Sequence, residues 1–192
     1  MLPWKSLFLA GVGVALFAGR ASAVPITYTE TVESPGSLGA EDFAPTLITY
    51  TVTADSSGVV EIESGEFANF DITSATIDIA GVATVSVLDS YAVLVEQGFA
   101  AGMLNDYGET GMLTVSDAFD SYDLTTSIGP VVGNTYLNSP LDTTGGEFSF
   151  IDPAATTTFQ ATTAVPEPVT IATATLCLPA LGLFLWKRRR TA

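Results

Sequence analysis

The strings ITYTETVE (26–33) and TLITYTVTA (46–54) alternate large apolar and polar residues with a period of two. A helix repeats its apolar stripe every three to four residues, so this rhythm belongs to a strand with one buried face. β-Branched and aromatic side chains dominate both strings, which suits a pleated surface. Further runs follow: VVEIE (59–63), FDITSATIDI (70–79), VATVSVL (82–88), YAVLV (91–95), MLTV (112–115), EFSFI (147–151) and TTFQATT (157–163). Turn-forming residues separate them at Ser34-Pro35-Gly36, Asp55-Ser56-Ser57-Gly58, Ala80-Gly81 and Thr144-Gly145-Gly146. The expectation is an all-β fold, an antiparallel β-sandwich or barrel-like domain. One segment competes, because Val93, Val95, Phe99 and Leu104 also suit a short helix over 93–104, against Gly98 and Gly102.

Charge narrows the chemistry. All six Lys and Arg residues lie outside 24–164, there is no His, and the one cysteine, Cys177, also lies outside. Of the 21 acidic residues only Glu167 is outside, so this 141-residue segment carries 20 carboxylates and no cation. Ion pairs and disulfides cannot hold such a domain, and stability must come from apolar burial and strand pairing. Nucleic acid is excluded as a partner, since phosphate contacts need Lys and Arg.

The ends of the chain say where it goes. Met1 to Ala23 carries Lys5, an apolar run from Leu7 to Ala18, and Ala21-Ser22-Ala23 as an A-x-A cleavage site. That is the layout of a secretory signal peptide removed by signal peptidase, and the run is too short to span a bilayer. At the other end, 169–186 is 18 residues without a charge, interrupted by Pro179 and closed by Trp186. Its length marks a single C-terminal transmembrane helix. Lys187, Arg188, Arg189 and Arg190 follow at once and belong on the cytoplasmic side. The chain divides into the signal peptide 1–23, an acidic all-β exported domain 24–156 and a Thr/Ala-rich last strand and linker 157–164. A tail 165–190 completes it, with the helix 169–186 and the basic tip 187–190.

Pro166-Glu167-Pro168, the apolar span with Gly182-Leu183, and the closing basic cluster resemble the PEP-CTERM sorting signal of bacterial exported proteins. The resemblance covers 165–190. It implies that an exosortase, a membrane-embedded transpeptidase-like enzyme, recognises Pro166, Glu167 and Pro168 and cleaves at or near them. It also implies a cell surface or an extracellular matrix rich in exopolysaccharide, in a biofilm-forming bacterium. The stretches GSLGAEDFAPTLITYTVTADSS, ITSATIDIAGVATVSV and YDLTTSIGP are similar to a recurring exported domain found ahead of this signal, which brings no activity with it.

Catalysis in 24–164 would have to manage without His, Lys, Arg or Cys. That removes Ser-His-Asp, Cys-His and Ser-Lys systems and any His or thiolate zinc site. A carboxylate pair of the glycosidase kind survives this test, though 20 acids single out no pair. Asp55-Ser56-Ser57-Gly58 and Asp142-Thr143-Thr144-Gly145 are each one residue too long for the Asp-Thr/Ser-Gly of aspartic proteases. Hard oxygen ligands suit calcium, and two clusters are candidates: Glu61, Glu63 and Glu66, and Asp117, Asp120 and Asp123. The competing reading is a solvated acidic face. For carbohydrate, both tryptophans, Trp4 and Trp186, lie in the terminal segments. Tyr107, Tyr122 and Tyr136 in polar stretches are then the aromatic candidates, against a role in closing core edges. The expected protein is therefore exported, exosortase-processed, structural or adhesive, and not an enzyme. The alternative is a calcium- or carbohydrate-binding module, and the outlier is an Asp/Glu-pair glycosidase.

Overall fold

The computed structural model describes residues 24–105, 111–138, 140–150 and 155–164. The signal-peptide and sorting-signal residues, Ala21, Ala23, Pro166 to Pro168, the span 169–186 and Lys187 to Arg190, lie outside the described residues. Among the described residues no helix is long and apolar enough to cross a membrane.

The alternation in the sequence is realised residue by residue. In β1 (Pro25–Leu38), Ile26, Tyr28, Glu30 and Val32 are buried, while Thr27, Thr29 and Thr31 lie on the opposite face. β2 (Glu41–Asp55) repeats the pattern with Ile48, Tyr50, Val52 and Ala54 inside. The remaining strands are β3 (Val59–Glu63), β4 (Glu66–Asn69), β5 (Ile72–Ile79), β6 (Ala83–Ser86), β7 (Tyr91–Glu96), β8 (Ala100–Asn105), β9 (Gly111–Val115), β10 (Ile128–Asn138), β11 (Leu141–Thr143), β12 (Gly146–Phe150) and β13 (Thr156–Thr163). The described residues are thus all-β and antiparallel. They form one curled half-barrel sheet in the order β3-β4-β7-β8-β9-β10-β13-β1-β2-β5-β6.

The curl is tightened by the length of β1. Its first half pairs with β13 and its last residues, Gly36 to Leu38, pair with β12. The β11–β12 hairpin then reaches back to the end of β6 through a single bridge, Val87 to Thr143. Inside the curl Tyr28, Tyr50, Phe119, Phe148 and Phe159 are buried. Phe119 and Phe159 meet edge-to-face at 5.6 Å, as do Phe148 and Phe150 at 4.7 Å. The last strand, β13, is central in the sheet, between β10 and β1.

The outer face of the central strands is a lattice of threonines. One row runs Thr162, Thr27, Thr53 and Ser74 across β13, β1, β2 and β5. The next runs Gln160, Thr29, Thr51, Thr76 and Ser86, continuing onto β6. The third runs Thr158, Thr31, Thr49, Asp78 and Thr84.

Three expectations change. Ser34-Pro35-Gly36 is not a turn but a bulge inside β1, where the register shifts between Ser34 and Gly36. A bulge tolerates Pro35 because the ladder asks for no N–H there. The reversal comes later, at Gly39 with φ +61°. Second, 93–104 is not a helix: Gln97-Gly98-Phe99 turns β7 back into β8, with Gly98 at φ +75°. Third, β4, β8, β10 and β11 carry no clean alternation in the sequence. β8 shows why, since Ala100, Ala101, Gly102 and Met103 are buried in succession, so neither phase is polar.

Candidate functional site

The inward phase of β1 contains one residue that does not belong to a hydrophobic core. Glu30 follows Ile26 and Tyr28 at the two-residue interval and is fully buried. The Thr114 hydroxyl of β9 donates to its Oε1 at 2.7 Å, and Thr114 and Thr157 of β13 share a second bond at 2.8 Å. Oε2 has no hydrogen-bond partner. Desolvation holds the carboxyl well above the usual Glu range, with the Thr114 bond pulling weakly the other way. Tyr50 of β2 and Tyr91 of β7 interact electrostatically with each other and with Glu30, yet neither hydroxyl meets hydrogen-bond geometry. Burial raises both phenols well above 10. Five strands thus bring a buried carboxyl and four hydroxyls together inside the curl. The sequence carried the signal for Glu30, an acid on the apolar phase of a strand.

A second polar knot ties the 117–127 loop to β1. The Tyr28 hydroxyl donates to the Leu124 carbonyl at 2.7 Å, and Leu124 holds φ 64°, uncommon for a non-glycine residue. Asn69 donates through Nδ2 to the Tyr28 oxygen at 3.2 Å and to the Asp55 carbonyl at 2.9 Å. Burial pushes the Tyr28 phenol up to about 12, the Asn69 bond opposing it.

Where the barrel stays open, a groove of about 510 Å³ runs beside β5. Phe70, Ile72, Ser74, Asp89, Ser90 and Tyr91 line it. It exists because β6 pairs only with Thr76 to Ile79, leaving the first half of β5 without a strand on that side. Among the described residues Asp89 is its one carboxylate. A glycosidase pair needs two, set about 5 to 9.5 Å apart across the scissile bond.

The calcium candidates take up separate places. Asp117 opens a short 3-10 turn and Asp120 caps its end, while Asp123 accepts from the Thr125 N–H and hydroxyl. Glu61 faces Phe67 in the β3–β4 register, and a bulge intervenes before Glu63, which faces Glu66. Glu66 in turn faces Glu96 of β7, so three like charges line one ladder. Among the described residues no three acids converge to hold a metal ion. Of the tyrosine candidates, Tyr122 is a buried core residue whose hydroxyl is also buried, so it is neither a surface platform nor a core edge with its hydroxyl outward. Its ring packs between Phe119 and Phe159, at 6.2 Å from each. Tyr136 lies in β10 rather than in a loop, and Tyr107 lies outside the described residues.

Comparison with known protein families, characterised proteins and solved structures finds no match.

Proposed function

We propose that the chain is an exported, exosortase-processed protein of a bacterial cell surface or extracellular matrix, with a structural or adhesive role and no catalytic one. One observation carries this reading: a cation-free, 20-carboxylate β domain stands between a secretory signal layout and a tail with Pro166-Glu167-Pro168, an apolar span and Lys187 to Arg190. The tail parks the chain in the inner membrane with the domain outside, and the basic tip stops transfer. Pro on either side of Glu167 keeps the backbone extended, the shape in which a protease takes its substrate. The acidic surface keeps the released domain soluble. Carbohydrate or calcium binding on the same scaffold is the second reading, favoured for carbohydrate by the hydroxyl-lined groove and the threonine lattice.

Intact-mass spectrometry of the protein from cells carrying an exosortase tests the reading. The expected mature form begins at Val24, ends near Pro166-Glu167-Pro168 and lacks Lys187 to Arg190. Glu167→Ala should leave a membrane-held, uncleaved form. Release of that variant at the normal rate would defeat the role given to the motif.

A further inference from the structure

We infer that the threonine lattice on the outer face of β13, β1, β2 and β5 is a binding surface for an extended, uncharged polysaccharide. This names the adhesive surface of the proposed matrix protein and so rests on that reading. Two observations of this sheet and two general properties of sheets converge on it. The hydroxyls of Thr27, Thr29, Thr31, Thr49, Thr51 and Thr76 make no hydrogen bond to another described residue. They are half-buried in the middle of the array, so they stand ordered but open to solvent. β-Branching restricts each side chain to few rotamers, so little freedom remains to be lost when a ligand is bound.

Spacing is the second argument. Side chains of one row sit on neighbouring strands about 4.8 Å apart. That distance is close to the advance of one sugar residue along an extended β-linked glycan. A chain lying across the strands therefore meets one hydroxyl per sugar along the row Thr29, Thr51 and Thr76. Each hydroxyl can donate to or accept from a sugar hydroxyl.

Charge is the third. The domain carries 20 carboxylates, yet the three central rows contain one, Asp78, at the edge of the lattice. A polyanion would be repelled by the domain and would find no Lys or Arg on it. A neutral polymer meets neither obstacle on this face. The fourth is curvature. Neighbouring strands turn by about 20–25° each, so the lattice rotates by about 80–100° over five strands. A rigid planar lattice such as an ice surface cannot keep register with it, whereas a single flexible chain can follow.

Affinity electrophoresis of the full chain in a non-glycosidic detergent tests this, with mixed-linkage β-glucan and galactomannan as neutral probes, and alginate and dextran as contrasts. Retardation by at least one of the extended neutral glycans is expected, persisting at high salt, with none by alginate and less by the coiled dextran. The triple variant Thr29→Val/Thr51→Val/Thr76→Val keeps the shape and β-branching of each side chain, and its melting curve checks that it folds. Its affinity should fall at least tenfold. No retardation by either neutral probe would overturn the assignment, as would undiminished binding by a folded triple variant. Faceted ice growth in place of glycan binding would overturn it too. Export and tail cleavage are read separately by mass, so loss of this proposal leaves the sorting reading standing, and the reverse.

Discussion

Glu30 concentrates the energetics of the core in one group. An isolated ionised carboxylate is very costly to bury, so desolvation shifts Glu30 toward its protonated form. Its proton therefore acts as a stabilising ligand of the folded state. With the folded pKa raised above the unfolded value near 4.3, the stabilisation is complete below that value and is lost as pH rises through the folded pKa. Glu30→Gln keeps the shape and the Thr114 bond but removes the ionisation. The melting curves of the two proteins should separate as pH rises above about 5, the variant gaining at most about 1.4 kcal/mol per pH unit. Parallel curves from pH 5 to 9 would mean that Glu30 is already ionised in the folded state and that burial does not raise its pKa. Tyr28→Phe should act differently, with no pH dependence below 9. It strands the Leu124 carbonyl and an Asn69 donor, costing about 1–3 kcal/mol in urea denaturation. An unchanged midpoint would show that water replaces the hydroxyl. Both residues were visible as inward positions of ITYTETVE. Their partners were not, because Asn69, Thr114 and Leu124 lie 41 or more residues away along the chain and only the sheet brings them close.

At the scale of the element, legibility follows how each strand is buried. β1, β2, β12 and β13 alternate in sequence because one face meets solvent, whereas β3 alternates although Val60 and Ile62 are themselves exposed. β8 is buried on both sides, so its period disappears. The β1 bulge reads as a turn in the sequence because Pro and Gly mark both features, and only the partner strand decides between them. Two glycines make the distinction measurable. A Cβ at Gly36 would collide with the Ser149 carbonyl and the Phe43 ring, although its φ is ordinary. Gly81 has φ +76° and open space around it. Gly36→Ala should cost about 1–3 kcal/mol through overpacking between β1 and β12. Gly81→Ala should cost about 1–2 kcal/mol, from the left-handed backbone alone. Asn tolerates that backbone, so Gly81→Asn should recover part of the loss while Gly36→Asn should worsen it. Similar recovery at both sites in thermal melts would mean that the bulge relaxes.

For the molecule as a whole, the missing cations govern behaviour in solution. The acids of 24–164 other than the buried Glu30 have no Lys, Arg or His beside them in that segment and repel one another, and the Glu63, Glu66 and Glu96 ladder places three of them on adjacent strands. A protein held by surface ion pairs loses stability with added salt, whereas here screening removes a penalty. The Debye length falls from about 10 Å at 0.1 M to about 3 Å at 1 M, so added salt screens the repulsion between carboxylates that are not in direct contact. Sodium chloride should therefore raise the melting temperature of the full chain in detergent. Calcium separates screening from a site. The Asp117, Asp120 and Asp123 side chains and the Glu61, Glu63 and Glu66 side chains do not converge among the described residues. At matched ionic strength, millimolar calcium should then raise the melting temperature no more than sodium does. An ion bound only by the folded state would add RT ln(1 + [L]/Kd), about 2.7 kcal/mol at a hundredfold excess over Kd. A calcium increment of that size would establish a metal site and place its ligands partly beyond the described residues. A melting temperature lowered by sodium chloride would refute self-repulsion as the force that opposes the fold.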